Sequence, residues 1–309
     1  MKLKNLALSV VVACASYATT VSANITVNPS ATNVGAVGGT ALDAGTGSFA
    51  TNNSQIAFAS LLDINSAPVA LTNTTFSESG NFQILNFNPN PLATTNVTNN
   101  YNVYATFKIQ GTGTWLTNNL FVVTSFSLFD AAVYGSPGCT TSGSNGQVGC
   151  TSGLTFADPT TSNANTLAQY GITAGAADFL LGTASIINDP TNNATATVGN
   201  GTSGNGTLSI LTLLDFNAAL GTTGPTGFWQ LPNPFNIDIG SQAGGSAIET
   251  TYSVAGGKTS IRVDNLNGVN QGGGSLAYQA NAIPEPASLA LMGLGLLGMG
   301  AALRRRKSK

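Results

Sequence analysis

Histidine is absent from all 309 residues, which removes the commonest general base and the commonest transition-metal ligand. Ser-His-Asp and Cys-His catalysis are excluded with it, and so is a typical catalytic zinc site. Charge is scarce as well: Asp, Glu, Lys and Arg together supply 7% of the chain, so solubility must come from Asn, Thr, Ser and Gly. Most of the basic residues stand at the two ends (Lys2, Lys4, Arg304, Arg305, Arg306, Lys307, Lys309), leaving only Lys108, Lys258 and Arg262 between them. Eleven of the twelve acids lie in that same interval, a net charge of minus eight. Binding of nucleic acid through phosphate neutralisation is therefore not expected. A surface of this kind suits a hydrated matrix, or contact with sugars through neutral hydrogen bonds. Neither a cofactor nor a metal site is expected. Cysteine is limited to three, and Cys14 lies in the N-terminal apolar stretch. The remaining pair, Cys139 and Cys150, reads as a disulfide across a Gly/Ser/Thr-rich loop, with a chain-entropy contribution of about 3 kcal/mol.

What the chain does have is two targeting ends. Lys2 and Lys4 precede the apolar stretch Leu6 to Ala18, and Val21-Ser22-Ala23 offers compact residues to a secretory peptidase. Residues 1–23 therefore read as a signal peptide cleaved between Ala23 and Asn24. A lipoprotein signal, with Val11-Val12-Ala13-Cys14 as a loose lipobox, is the alternative. At the other end, residues 281–309 contain Pro284-Glu285-Pro286, an uncharged run from Ala287 to Leu303, and Arg304-Arg305-Arg306-Lys307. As a single transmembrane helix, 17 residues span about 25 Å, against about 30 Å of bilayer hydrocarbon. The basic cluster orients the tail to the cytoplasm. Pro284 and Pro286 hold the backbone extended around Glu285 at the membrane surface. This three-part segment resembles the PEP-CTERM sorting signal of bacterial exopolysaccharide-producing species. The resemblance implies processing by an exosortase-type membrane enzyme, transient anchoring in the inner membrane, and release or attachment at the cell surface. An ordinary anchor that is never cut has no use for the tripeptide at this spacing.

Residues 24–280 read as one exported domain of mainly β class, a β-sandwich or jelly roll. Tyr101 to Gln110 alternates apolar and polar residues as a half-buried strand, and Leu120 to Phe129 reads as a core strand, with Gly111 to Asn119 as the connection. Thr207 to Phe216 reads similarly. Glu249 to Ala255 and Thr259 to Leu266 flank Gly256-Gly257-Lys258 as a hairpin. Ser54 to Asp63, Asn81 to Phe87, Thr183 to Asn188, Phe228 to Ile239 and Leu276 to Gln279 are further strands. Helix is confined to a turn or two at Asn165 to Tyr170 and Asp215 to Leu220.

No motif carries catalysis. Gly257-Lys258-Thr259 lacks the glycine at position 252 that a phosphate-binding loop needs, since Tyr252 stands there. Asp130, Asp158, Asp178, Asp215, Asp238, Glu78 and Glu249 are candidates for a glycosidase pair, but Asp in β-proteins most often shapes turns. Calcium needs only oxygen ligands, yet no Asp-x-Asp-x-Asp-Gly loop is present. Trp115, Phe228, Trp229, Tyr101 and Tyr104 can either stack on sugars or fill the core. Three stretches, Tyr101 to Phe107, Asp178 to Ala184 and Pro232 to Ile237, are similar to flocculation-associated PEP-CTERM proteins. That resemblance implies a role in gathering cells within extracellular polysaccharide. The expectation is a non-enzymatic surface or matrix protein, with a carbohydrate-binding or carbohydrate-active domain, calcium-dependent or not, as the alternative.

Overall fold

The computed structural model describes residues 25–30, 42, 47–88, 101–141, 148–150, 153–156, 159–160, 166–176, 178–186, 193–198, 204–215, 228–230, 235–243, 249–264 and 273–280. The signal segment, the Ala23/Asn24 junction and the whole of 281–309 lie outside them. Among the described residues no helix is long and apolar enough to cross a membrane.

In chain order the strands are β1 (Ile25–Val27), β2 (Phe49–Thr51), β3 (Asn53–Ile64), β4 (Thr72–Asn88), β5 (Tyr101–Thr117), β6 (Leu120–Pro137), β7 (Cys139–Thr141), β8 (Val148–Cys150) and β9 (Thr155–Phe156). There follow β10 (Ile172–Thr173), β11 (Phe179–Ile186), β12 (Asn193–Val198), β13 (Gly204–Asp215), β14 (Trp229–Gln230), β15 (Phe235–Ala243), β16 (Glu249–Ala255), β17 (Lys258–Asp264) and β18 (Gly273–Ala280). One 3₁₀ turn, Leu167–Tyr170, precedes β10.

Eight of these strands pair in a ring. The order runs β3, β4, β5, β6, β11, β13, β15, β18 and back to β3, every neighbour antiparallel. The mainly β class expected from the sequence is what forms. Opposing walls face one another across a core, as the layers of a sandwich do, but hydrogen bonding continues around it. Closure arises because β18 pairs with both β15 and β3, leaving neither with an open edge there. The edge of β3 is shared, its first half by β18 and its second half by β17, from which β16 folds back. Gly256 and Gly257 make that hairpin possible, with φ of 60° and 76° in the turn.

The alternation in Tyr101 to Gln110 does set the two faces of the wall, and it continues further than the sequence pattern indicates. Val103, Ala105, Phe107 and Ile109 point into the core, while Lys108, Gln110, Thr112 and Thr114 point out. This is the reverse of a barrel whose outer face meets lipid. Gly111 to Thr117 continues the strand instead of forming the connection. The reason is packing: a side chain at Gly111 would meet the Phe76 ring at 2.8 Å, and one at Gly113 would overlap Phe121. The glycines are where aromatic rings press against the wall. Leu120 to Phe129 is a strand but not a continuous core strand, since Thr124, Ser125 and Ser127 are exposed.

Aromatic groups close the ring at both ends. At the lower end, where β3 begins and β18 finishes, the small sheet β14-β1-β2 packs Ile25, Val27, Phe228 and Trp229 against Phe87, Tyr101 and Tyr278. At the upper end Trp115 is fully buried against Phe121, whose ring meets Phe76, and its indole N–H donates to Ser66 Oγ at 3.1 Å. Burying rings of this size supplies much of the folding drive.

A second, smaller core lies outside the ring. The segment from β7 to β10 returns over the outer face of β5 and β6, packing Leu154, Ile172, Phe156 and Leu167 against Tyr104 and Tyr134.

Candidate functional site

The residues expected to direct sorting, Pro284, Glu285, Pro286 and the Arg304–Lys307 cluster, fall outside the described residues, but the fold fixes where their segment begins. Ala280 ends β18 at the lower end of the ring, opposite Phe235. Pro284 follows four residues later, so the Pro-Glu-Pro motif starts within about 14 Å of that end even if the chain is fully extended. Ile25 lies at the same end, because it pairs with Thr51 just before β3 begins. Ile25 and Thr51 are both fully buried.

The candidate carboxylates separate by side of the wall. Glu78 lies on the inward row of β4, between Phe76 and Phe82, with Leu62 of β3 and Ile109 of β5 as its register partners. Its side chain is partly covered. Desolvation raises its carboxyl above the ordinary range, and the Ser60 hydroxyl pulls back more weakly.

Asp178 lies outside the ring, just before β11. Its carboxylate accepts hydrogen bonds from Tyr104 Oη at 2.8 Å, Ser136 Oγ at 2.5 Å and the Gly175 N–H at 2.8 Å. Tyr104 stacks on Tyr134, centroids 5.3 Å apart, and Phe156 meets its edge at 5.7 Å. Burial pushes the Tyr104 phenol well up, and the neighbouring Asp178 charge adds to it. Tyr134 is raised by burial, as is Tyr170, which also feels Asp130. Nearby, Asn81 Nδ2 donates to the Tyr170 carbonyl at 2.5 Å, tying the covering segment to β4. With three donors converging on it, Asp178 is a clamp holding the covering segment to the wall.

Asp130 is exposed on β6, six positions from Ser136, which places it about 20 Å along the strand from Asp178. That exceeds the separation of a glycosidase pair, and Glu78 is divided from both by the wall. The side chains of Asp215, Asp238 and Glu249, and all of Asp158, lie outside the described residues. Trp115, Phe228, Trp229, Tyr101 and Tyr104 are each 1% exposed or less, so none presents a face on which a sugar can stack. Cys139 and Cys150 stand directly opposite one another on β7 and β8. Antiparallel partners have Cα atoms about 4.5–5.5 Å apart, inside the range a disulfide spans.

Sequence reasoning named Glu78 and Asp178 but could not tell them apart, and it missed Ser136, Tyr134 and Asn81. The pairing of β5 with β6 sets Tyr134 opposite Tyr104, Ser136 reaches Asp178 from β6, and Asn81 reaches Tyr170 from β4.

Residues 282–307 match the family model of the PEP-CTERM protein-sorting motif. The chain thus carries the signal of an exported protein that an exosortase sorts at a membrane. No curated protein and no solved structure matches the chain.

Proposed function

We propose that this protein is a non-enzymatic component of the cell surface or extracellular matrix, delivered through its C-terminal sorting motif, that helps hold cells and exopolysaccharide together in flocs or biofilm. The observation that carries the reading is the sorting motif at 282–307. The character of the barrel wall supports a polysaccharide partner. On the upper outer face of β4, β5 and β6, neutral groups bond to one another: Thr114 to Asn73, Thr112 to Thr124 and Ser125, and Asn65 to Thr75. Such groups, already held in place, exchange hydrogen bonds with sugar hydroxyls at little ordering cost. The cross-strand register of Cys139 and Cys150 supports a disulfide that staples the start of the covering segment in the oxidising space outside the membrane.

Removing the gene should reduce cell aggregation while leaving polysaccharide synthesis intact; unchanged aggregation would sink the reading. Processing is tested separately. Replacing Pro284 and Pro286 by alanine should leave an uncut, membrane-held form of higher mass. An unchanged mass at the cell surface would remove the motif from the mechanism.

A further inference from the structure

The upper end of the ring differs from the rest of the wall in what it shows to solvent. Leu71 is 81% exposed, and Val69 and Leu116 beside it are about half exposed (57% and 48%), as is Val254 (44%) one residue before the β16 end. These are all of the exposed large hydrophobics among the described residues. All of them sit at the hairpin turns of the same end: β3 to β4, β5 to β6, and β16 to β17. Leu71 is also the only described non-glycine residue with positive φ, at 61°. A bulky side chain rarely adopts that backbone, which asparagine or glycine would occupy with less strain. Leu71 is therefore unfavourable twice over, in backbone and in solvation, and strain of this kind collects at functional positions. Nor is the turn loose. The Leu71 N–H donates to the Trp115 carbonyl at 2.6 Å, the Ala70 N–H to Asn118 Oδ1 at 3.0 Å, and the Thr259 hydroxyl to the Ser66 carbonyl at 2.7 Å.

We propose that this end is a lipid-docking surface, which inserts Val69, Leu71 and Leu116 into a bilayer carrying anionic headgroups. Two observations choose this occupant. Lys258 is the one charged side chain in these three turns and is exposed, so the tip itself offers a positive charge to anionic headgroups although the body behind it, Asp63 included, is acidic. And four aliphatic side chains fall far short of the roughly 800 Å² per partner that a stable protein interface buries. The chain leaves the ring at the opposite end, after Ala280. This inference stands apart from the aggregation reading, since lipid binding can hold in a protein that gathers no cells.

The test uses the processed protein recovered from exporting cells, sedimented with vesicles of phosphatidylcholine and phosphatidylglycerol and with vesicles of phosphatidylcholine alone. Wild type should sediment with both, more strongly with the anionic set. Leu71→Asn, which fits the backbone better, should fold normally and lose about tenfold in partitioning. Leu116→Ser, at an unstrained position, should show a smaller loss. Lys258→Gln should lose about fivefold on anionic vesicles only. Failure of wild type to sediment, or equal sedimentation of Leu71→Asn, overturns the proposal. So does Leu71-dependent self-association without vesicles, which would make the tip a contact between copies.

Discussion

Glu78 and Asp178 are carboxylates on opposite sides of one β-wall, and their surroundings give them opposite tasks. The inner one has apolar neighbours and one hydroxyl, so the barrel favours its neutral form. The outer one receives three hydrogen bonds, which fasten the covering segment to β5 and β6. Residue type alone does not decide what an acid does; the face of the strand and the donors within reach decide it.

The comparison can be broken most severely through the core on which the inner face depends. Trp115→Ala removes a fully buried indole that packs on Phe121 and bonds Ser66, and should cost about 3–5 kcal/mol in urea unfolding. A loss below 1 kcal/mol would mean that the upper end is not closed as described. On the outer side, Asp178→Ala should cost about 1–3 kcal/mol, because Tyr104, Ser136 and Gly175 lose their common acceptor. It should also bring the Tyr104 phenol down, though burial keeps it above the ordinary value, and make the segment between β6 and β11 more open to protease. An unaltered tyrosine titration and digestion pattern would remove the clamp.

The smallest effect sharpens the inner half of the contrast. Glu78 titrates higher folded than unfolded, so the unfolded chain releases its proton first as pH rises. Stability is thus greatest below the unfolded carboxyl range and falls as pH climbs through the raised folded value. Glu78→Gln should flatten this slope and raise stability at neutral pH. Urea midpoints between acid and neutral pH would check it, and an identical slope in the variant would place Glu78 in water.

Parts of this picture were legible from residue order and parts were not. The alternation at Tyr101 to Gln110 and the turn chemistry of Gly256-Gly257 declare themselves because strand faces and hairpin turns are local properties. The three-part C-terminal segment was legible for a similar reason, being defined by residues next to one another. Gly111 and Gly113 misled, since glycine reads as a break until the Phe76 and Phe121 rings are placed over it. Ring closure was beyond reach: the Ser54 to Tyr278 hydrogen bond at 2.7 Å joins residues 224 positions apart. Leu71 gave no signal either, because its meaning lies in a backbone angle and in neighbours from another hairpin.

The last stave also sets a clock. Export delivers the chain from its N-terminus, and β3 must wait for Gly273 to Ala280 before its first half finds its second neighbour. Contacts so distant in sequence form late, because a long loop has to be closed before they are rewarded. The processing motif arrives only four positions after the residue that completes the ring. By the time an exosortase can meet Pro284, every strand of the barrel is already outside, so the tag reports that the cargo has been fully delivered.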